Sequence, residues 1–159
     1  MKHKIYVTRE KRSLGHPETA ALVKKAAAAA LKAEGVDEPC EIGVTLTDDE
    51  GIRAVNSAFR GVDRATDVLS FPLNELRPGD FDPEVCERDP ETGALLLGDM
   101  MISVPRCLAQ GEEYGHGYAR ELMYLTVHSV LHLLGYDHVD EGAMKRQMRA
   151  REKLIMGDD

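Results

Sequence analysis

Between Glu41 and Thr47 the chain alternates strictly, with Ile42, Val44 and Leu46 on one side and Gly43, Thr45 and Thr47 on the other. That period of two predicts a half-buried strand. Lys4 to Thr8 repeats it on a smaller scale, Ile5 and Val7 opposing Lys4 and Tyr6. Between the two strands the pattern changes. Pro17 suits a first helical position, Glu18 to Ala33 follows as a helix, and Gly35 can close it. The alanine run from Ala26 to Ala30 is scaffold, because alanine is the best helix former and packs closely against a sheet.

After the second strand, Asp48 or Asp49 can cap a helix in which Ile52, Val55 and Phe59 recur at helical spacing. It delivers Phe59-Arg60-Gly61 into a polar turn, followed by a strand from Thr66 to Pro72. Pro72 suits the end of an edge strand. Asn74 to Ala94 reads as a long acidic loop with Pro78, Pro83 and Pro90, a solvated and mobile excursion. Leu95 to Ser103 is apolar enough for a central strand, interrupted at Gly98-Asp99. Pro105 opens a short helix ending before Gly115. Tyr118 to Leu134 is a strongly apolar helix, and a last helix from about Asp140 to Met156 presents Lys145, Arg146, Arg149 and Arg151 as a solvated basic face.

This order predicts an α+β fold: a four-stranded mixed sheet with one hairpin-like pairing across the acidic loop, covered by helices. The helix Tyr118–Leu134 is too apolar on its remaining sides to lie on the surface and is expected at the centre. With no repeat and no linker rich enough to divide the chain, residues 1–159 are expected to form one domain. At 159 residues that domain buries a real core without disulfides.

Composition narrows the class. The chain is 43% hydrophobic and 30% charged, ordinary for a globular protein. Its three cysteines, Cys40, Cys86 and Cys107, are an odd number with no CxxC pair, which points to reduced thiols. The opening Met-Lys-His-Lys-Ile-Tyr-Val lacks the apolar core of a signal peptide, and no apolar run approaches a membrane span. A cytoplasmic location away from membranes is therefore expected. A net charge of −8 argues against indiscriminate nucleic-acid binding but leaves room for a local basic surface.

The chemistry concentrates in His128-Ser-Val-Leu-His-Leu-Leu-Gly-Tyr-Asp-His138, which holds three of the six histidines. Positions four apart in a helix share a face, so His128 and His132 can reach one ion. Gly135 lets the chain leave the helix, and Tyr136-Asp137 can swing His138 back as a third ligand. The spacing matches the extended zinc-protease helix, His-Glu-x-x-His-x-x-Gly-x-x-His, except that Ser129 replaces the glutamate acting there as general base. Three protein nitrogens leave a coordination position open, the catalytic rather than the structural arrangement. Imidazole suits zinc and also nickel or another divalent ion.

These residues resemble the signature of the YbeY family of bacterial endoribonucleases. Two further blocks agree with it. Asn56-Ser-Ala-Phe-Arg-Gly-Val-Asp-Arg-Ala-Thr-Asp-Val-Leu-Ser-Phe-Pro72 is similar to the family's Asn-x3-Arg and Thr-Asp-Val-Leu-Ser-Phe-Pro segments. Leu97-Gly-Asp-Met-Met-Ile-Ser103 is similar to its Leu-Gly-Asp-Ile-x-Ile-Ser. The first forty residues add little, and Ser129 stands where many members have glycine.

The resemblance implies a zinc-dependent, single-strand-specific endoribonuclease acting in late 16S ribosomal RNA maturation and ribosome quality control. Its partners would be ribosomal RNA and the ribosome or small-subunit assembly proteins. It puts the metal ligands at His128, His132 and His138 and a functional arginine at Arg60. A planar guanidinium suits the charge that builds on phosphoryl oxygens during cleavage. Asp137 is expected to orient an imidazole. Asp67, Ser70, Asp99 and Ser103 are expected mainly to cap turns and satisfy backbone groups. Two alternatives are a metal hydrolase of another substrate, above all a peptidase, and a ribosome-assembly binding protein with a structural metal.

Overall fold

A computed structural model describes residues 3–137 and 142–157 of the chain. Its strands are β1 (Lys4–Arg9), β2 (Cys40–Thr47), β3 (Val68–Pro72), β4 (Glu87–Arg88) and β5 (Leu95–Ser103), and its helices are α1 (Thr19–Ala33), α2 (Asp49–Arg60), α3 (Val104–Glu113), α4 (Gly117–Leu133) and α5 (Ala143–Met156). The strands form one mixed sheet in the order β1-β2-β5-β3, with β4 also paired to β5. β1, β2 and β5 run parallel, while β3 and β4 are antiparallel to β5. The α+β class and the mixed sheet agree with the sequence reading.

The strand count does not: the sheet has five strands where the pattern predicted four. The extra one, Glu87–Arg88, comes from the acidic loop, and both of its residues are exposed. A polar dipeptide shows no alternation, so only backbone pairing with Leu96 and Leu95 makes it a strand. Asn74 fastens it by donating its amide hydrogen to the Leu96 carbonyl and accepting from the Glu87 N–H, both at 2.9 Å. Arg88 reaches Glu38 at 3.1 Å. The loop is thus stitched to the sheet edge rather than a wholly solvated excursion.

The apparent interruption at Gly98-Asp99 is a β-bulge. Glu41 and Ile42 pair with Leu96 and Gly98, which leaves Leu97 as an extra residue. The buried side chains of β5 therefore switch from the odd positions Leu95 and Leu97 to the even ones Met100 and Ile102. Gly98 has φ +132°, and a Cβ there would lie 2.2 Å from the Phe71 carbonyl oxygen of β3. Pro72 ends β3 opposite Gly98, at an edge where its missing N–H costs no ladder bond.

α4 occupies the centre and packs against α1, α3, α5, β3 and β5. Leu122, Leu125, Val127, Val130, Leu131 and Leu133 are almost wholly buried. The methyl side chains of Ala26, Ala27 and Ala30, fully buried, let α1 come close on one side. α2 departs from its expected stripe. Asp48 caps it through the Gly51 N–H at 2.8 Å, but the buried positions are Ile52 and Asn56. Phe59 is 75% exposed and meets the β3 side chain Phe71 edge-on at 6.1 Å. A polar residue on the inner face takes the place that spacing assigned to an aromatic one.

Candidate metal and nucleic-acid site

His128 and His132 project from the last two turns of α4, and the local chain is built to aim them. Gly135 adopts φ +103°, and a Cβ on it would lie 2.3 Å from the Leu76 carbonyl oxygen. Only glycine tolerates that combination of left-handed backbone and close approach. The turn carries the Tyr136 carbonyl back under the helix, where it lies 2.9 Å from His132 Nδ1. A carbonyl only accepts, so this Nδ1 carries hydrogen and the lone pair of His132 is on Nε2. On the neighbouring ring, His128 Nδ1 lies 2.5 Å from Glu152 Oε2 of α5. The two Nε2 atoms face each other at 3.1 Å, with the rings close to perpendicular.

Both anchors are held in turn. Glu152 is 5% exposed and its other oxygen accepts from the Tyr124 hydroxyl at 3.1 Å. Burial, reinforced by the nearby Glu152 carboxylate, pushes the Tyr124 phenol well above its ordinary range, so it stays a donor. The Tyr136 hydroxyl donates to Glu34 at the end of α1 at 2.5 Å, and burial plus that bond pushes its pKa up to about 12. Arg151 closes the circuit at 2.7 Å from the same Glu34 and donates to the Ala33 carbonyl. Adjacent residues of α5, Arg151 and Glu152, thus support the two rings by separate routes.

Ser129, which stands in the place of the protease glutamate, is fully buried and shares a 2.6 Å hydrogen bond with Ser70 of β3. It fastens α4 to the edge strand. Ser103 caps α3 and bonds Asp49 at 2.7 Å, and Asp67 accepts from the Val68 N–H at 2.8 Å. These are the structural duties expected of them.

His138 lies outside the described residues. Among the described residues no third histidine, cysteine or carboxylate joins the pair in a cluster that could hold a metal. Arg60 ends α2, exposed, on the wall of a cavity of about 540 Å³ lined also by Asn56, Arg64, Asp67, Arg106 and Gln110. Asp67 and Gln110 are shared with a second cavity of about 430 Å³ that runs past Tyr114 and Arg120 to Tyr124. Tyr124 in turn lines a third, of about 220 Å³, with His128, Lys145, Arg149 and Glu152. Shared lining residues thus make the three cavities neighbours, with Arg60 on the first and His128 on the third. Lys145 and Arg149, expected on a solvated face, line the third.

Sequence reasoning did not find Glu152 as a partner of His128. One signal was present, since Glu152 follows Met148 by four residues and so occupies the buried stripe of α5. An acid on such a stripe needs a partner.

A family model described as Endoribonuclease YbeY matches residues 4–158. The chain belongs to the YbeY family. YbeY endoribonucleases of Chloroflexus aurantiacus and Clostridium kluyveri are 50% and 47% identical to it, over 85% and 80% of this chain and 83% and 80% of their own. The YbeY endoribonuclease of Moorella thermoacetica is 50% identical over 80% of this chain and 78% of its own. The solution structure of the Thermotoga maritima protein TM1509 superposes with a TM-score of 0.58 at 24% identity, covering 96% of this chain and 89% of that one, and so shares the fold. The endoribonuclease reading of the three motif blocks is borne out at family level, and no comparison favours a peptidase or a binding protein. No helix among the described residues is long and apolar enough to cross a membrane.

Proposed function

We propose that this chain is a cytoplasmic, single-domain endoribonuclease that cuts single-stranded ribosomal RNA during small-subunit maturation, with His128, His132 and His138 holding one divalent ion, zinc in the first instance, and Arg60 gripping the phosphate. The observation that carries the reading is the facing pair of Nε2 atoms at 3.1 Å, each on a ring whose Nδ1 is already engaged. Two nitrogens about 2.0–2.1 Å from one zinc, at an angle between square and tetrahedral, stand about 2.9–3.4 Å apart. The two described nitrogens suit such an ion, and Glu152 and the Tyr136 carbonyl would be the outer partners that raise imidazole basicity and fix ring orientation.

When bound, the ion supplies Lewis acidity and concentrated positive charge to a phosphodiester. The chain's own residues do the rest. Arg60 presents a planar fork of donors to the phosphoryl oxygens, and the neighbouring cavities add Arg64, Arg106, Arg120, Lys145 and Arg149, cations suited to a phosphate backbone, among the carboxylates Asp67, Glu121 and Glu152. Tyr114, 60% exposed, and Tyr124 offer faces for unpaired bases. Ser129, tied to Ser70, supplies no peptidase base beside His128.

The test is cleavage of a defined single-stranded RNA, and of its duplex, by highly purified protein. His132→Ala is expected to lose both metal and cleavage, and Arg60→Ala to keep the metal and lose about 10²–10³ in rate. Wild-type cleavage by Arg60→Ala with metal bound would remove the arginine from the mechanism. Undiminished cleavage by His132→Ala would remove the metal.

A further inference from the structure

The outer cavity carries more than the arginine. Among the described residues two buried side-chain oxygens lack a hydrogen-bond partner, Asn56 Oδ1 and Gln110 Oε1, and both residues line this same cavity. Native structures contain few such atoms, because an acceptor taken out of water with nothing to replace it is costly. Two on one cavity point to a ligand that brings donors.

The amide nitrogens explain why the oxygens are left over. Asn56 Nδ2 donates to the Arg64 carbonyl at 2.9 Å, and Gln110 Nε2 to Asp67 Oδ2 at 3.4 Å. Asn56 is 3% exposed, so its oxygen cannot turn out to bulk solvent. Each amide nitrogen has one of its two hydrogens engaged, while the two amide oxygens still call for donors. The rest of the lining carries the guanidinium groups of Arg60, Arg64 and Arg106. An inorganic anion or an acidic peptide carboxylate brings acceptors alone and would leave both oxygens unmet. A nucleotide satisfies both, its phosphate taking the guanidinium groups and a neutral donor reaching the amide oxygens. Ribose 2′-hydroxyls and exocyclic base amines are such donors.

We propose that this cavity is a nucleotide subsite in which Asn56 and Gln110 accept hydrogen bonds from the sugar or base of the RNA whose phosphate lies against the arginines. The inference rests on the endoribonuclease reading and extends it, because it makes these two amides specificity-determining residues. Asp67 and Gln110 also line the neighbouring cavity, which shares Tyr124 with the one beside His128, and this adjacency favours a nucleotide of the strand being cut over a separate effector.

Equilibrium binding of fluorescent single-stranded oligonucleotides to the full chain tests it, using RNA, DNA of the same sequence, and RNA with inosine for guanosine and purine riboside for adenosine. Gln110→Met keeps the side-chain length and removes the acceptor; Asn56→Leu removes the other. Because Asn56→Leu also removes the 2.9 Å bond to Arg64, and Gln110→Met only the longer 3.4 Å bond to Asp67, Gln110→Met carries the test if Asn56→Leu fails to fold. Each variant is expected to weaken RNA binding about tenfold. If DNA binding is unchanged and the RNA preference collapses, the donor is the 2′-hydroxyl. If RNA preference survives but the amine-free bases no longer cost affinity, the donor is the base amine. Either result supports the subsite. Wild-type affinity of Gln110→Met for every oligonucleotide, on protein that cleaves RNA, overturns the subsite and leaves the nuclease standing. A wild-type protein that neither binds nor cleaves RNA overturns both.

Discussion

Replacing Glu152 with alanine strips two half-buried donors of their acceptor at once. The His128 Nδ1 hydrogen and the Tyr124 hydroxyl both point at this carboxylate, whose side chain is 7% exposed. An unsatisfied buried donor costs about 1–3 kcal/mol, so the pair is worth about 2–6 kcal/mol, with their partial exposure favouring the lower end. For a chain of this size, each kcal/mol moves the melting midpoint by about 2–4 °C. Glu152→Ala should therefore melt at least about 4 °C and at most about 24 °C lower. The same change unfixes His128, and loss of an outer partner lowers metal affinity about 10–100-fold, or about 1.4–2.7 kcal/mol. Glu152→Gln separates the two effects. Its amide oxygen still accepts from His128 while its amide nitrogen faces Tyr124, which can turn to accept. That variant should lose under about 1 kcal/mol of stability yet still bind metal about tenfold more weakly, because the carboxylate charge is gone. Competition with a chromophoric chelator measures the affinity and a thermal scan the stability. Folded Glu152→Ala protein that binds zinc within twofold of wild type would refute the assigned role.

Two further outcomes follow from the fold itself. Gly98→Ala forces a Cβ to 2.2 Å from a backbone oxygen at φ +132°, a clash that only movement of β3 relieves. It should destabilise by at least about 3 kcal/mol in chemical denaturation, and a loss under about 1 kcal/mol would show that β3 shifts freely. Burial pushes the Cys40 and Cys107 thiols up to about 12 each, far above the ordinary thiol value of about 8.5. The folded chain keeps protons that the unfolded chain releases, so this contribution is fully present below about pH 8.5 and is lost as pH rises towards 12, by about 1.4 kcal/mol per unit for each thiol. At pH 8 both should resist alkylation until denaturant is added; rapid labelling of native protein would contradict their burial.

What the sequence made legible follows from which features are local. The histidine pair, the Gly135 exit, the Asp48 cap and the alternation of the first two strands all rest on residues within a turn or a period of one another. Side chains that matter through distant partners were less visible. Glu152 is 24 residues from His128, and its place on a helix stripe says that it is buried without saying against what. β4 exists because Asn74 and β5 hold it, not because Glu87-Arg88 favours a strand. Phe59 looked like core because spacing counts hydrophobic side chains. It cannot know that α2 turns its Asn56 face inward to hold the loop that carries Arg64.

The circuit through Arg151, Glu34 and Tyr136 has a consequence for how the protein comes alive. Translation makes both imidazoles before it makes the helix that aims them, so a half-finished chain carries the rings without Arg151 or Glu152. Docking of α5 steers one ring directly and braces the carbonyl under the other, and the two are set in a single cooperative event. On the proposed function, such a chain would gain its metal-holding pair of rings only once α5 has closed over the hydrophobic interior.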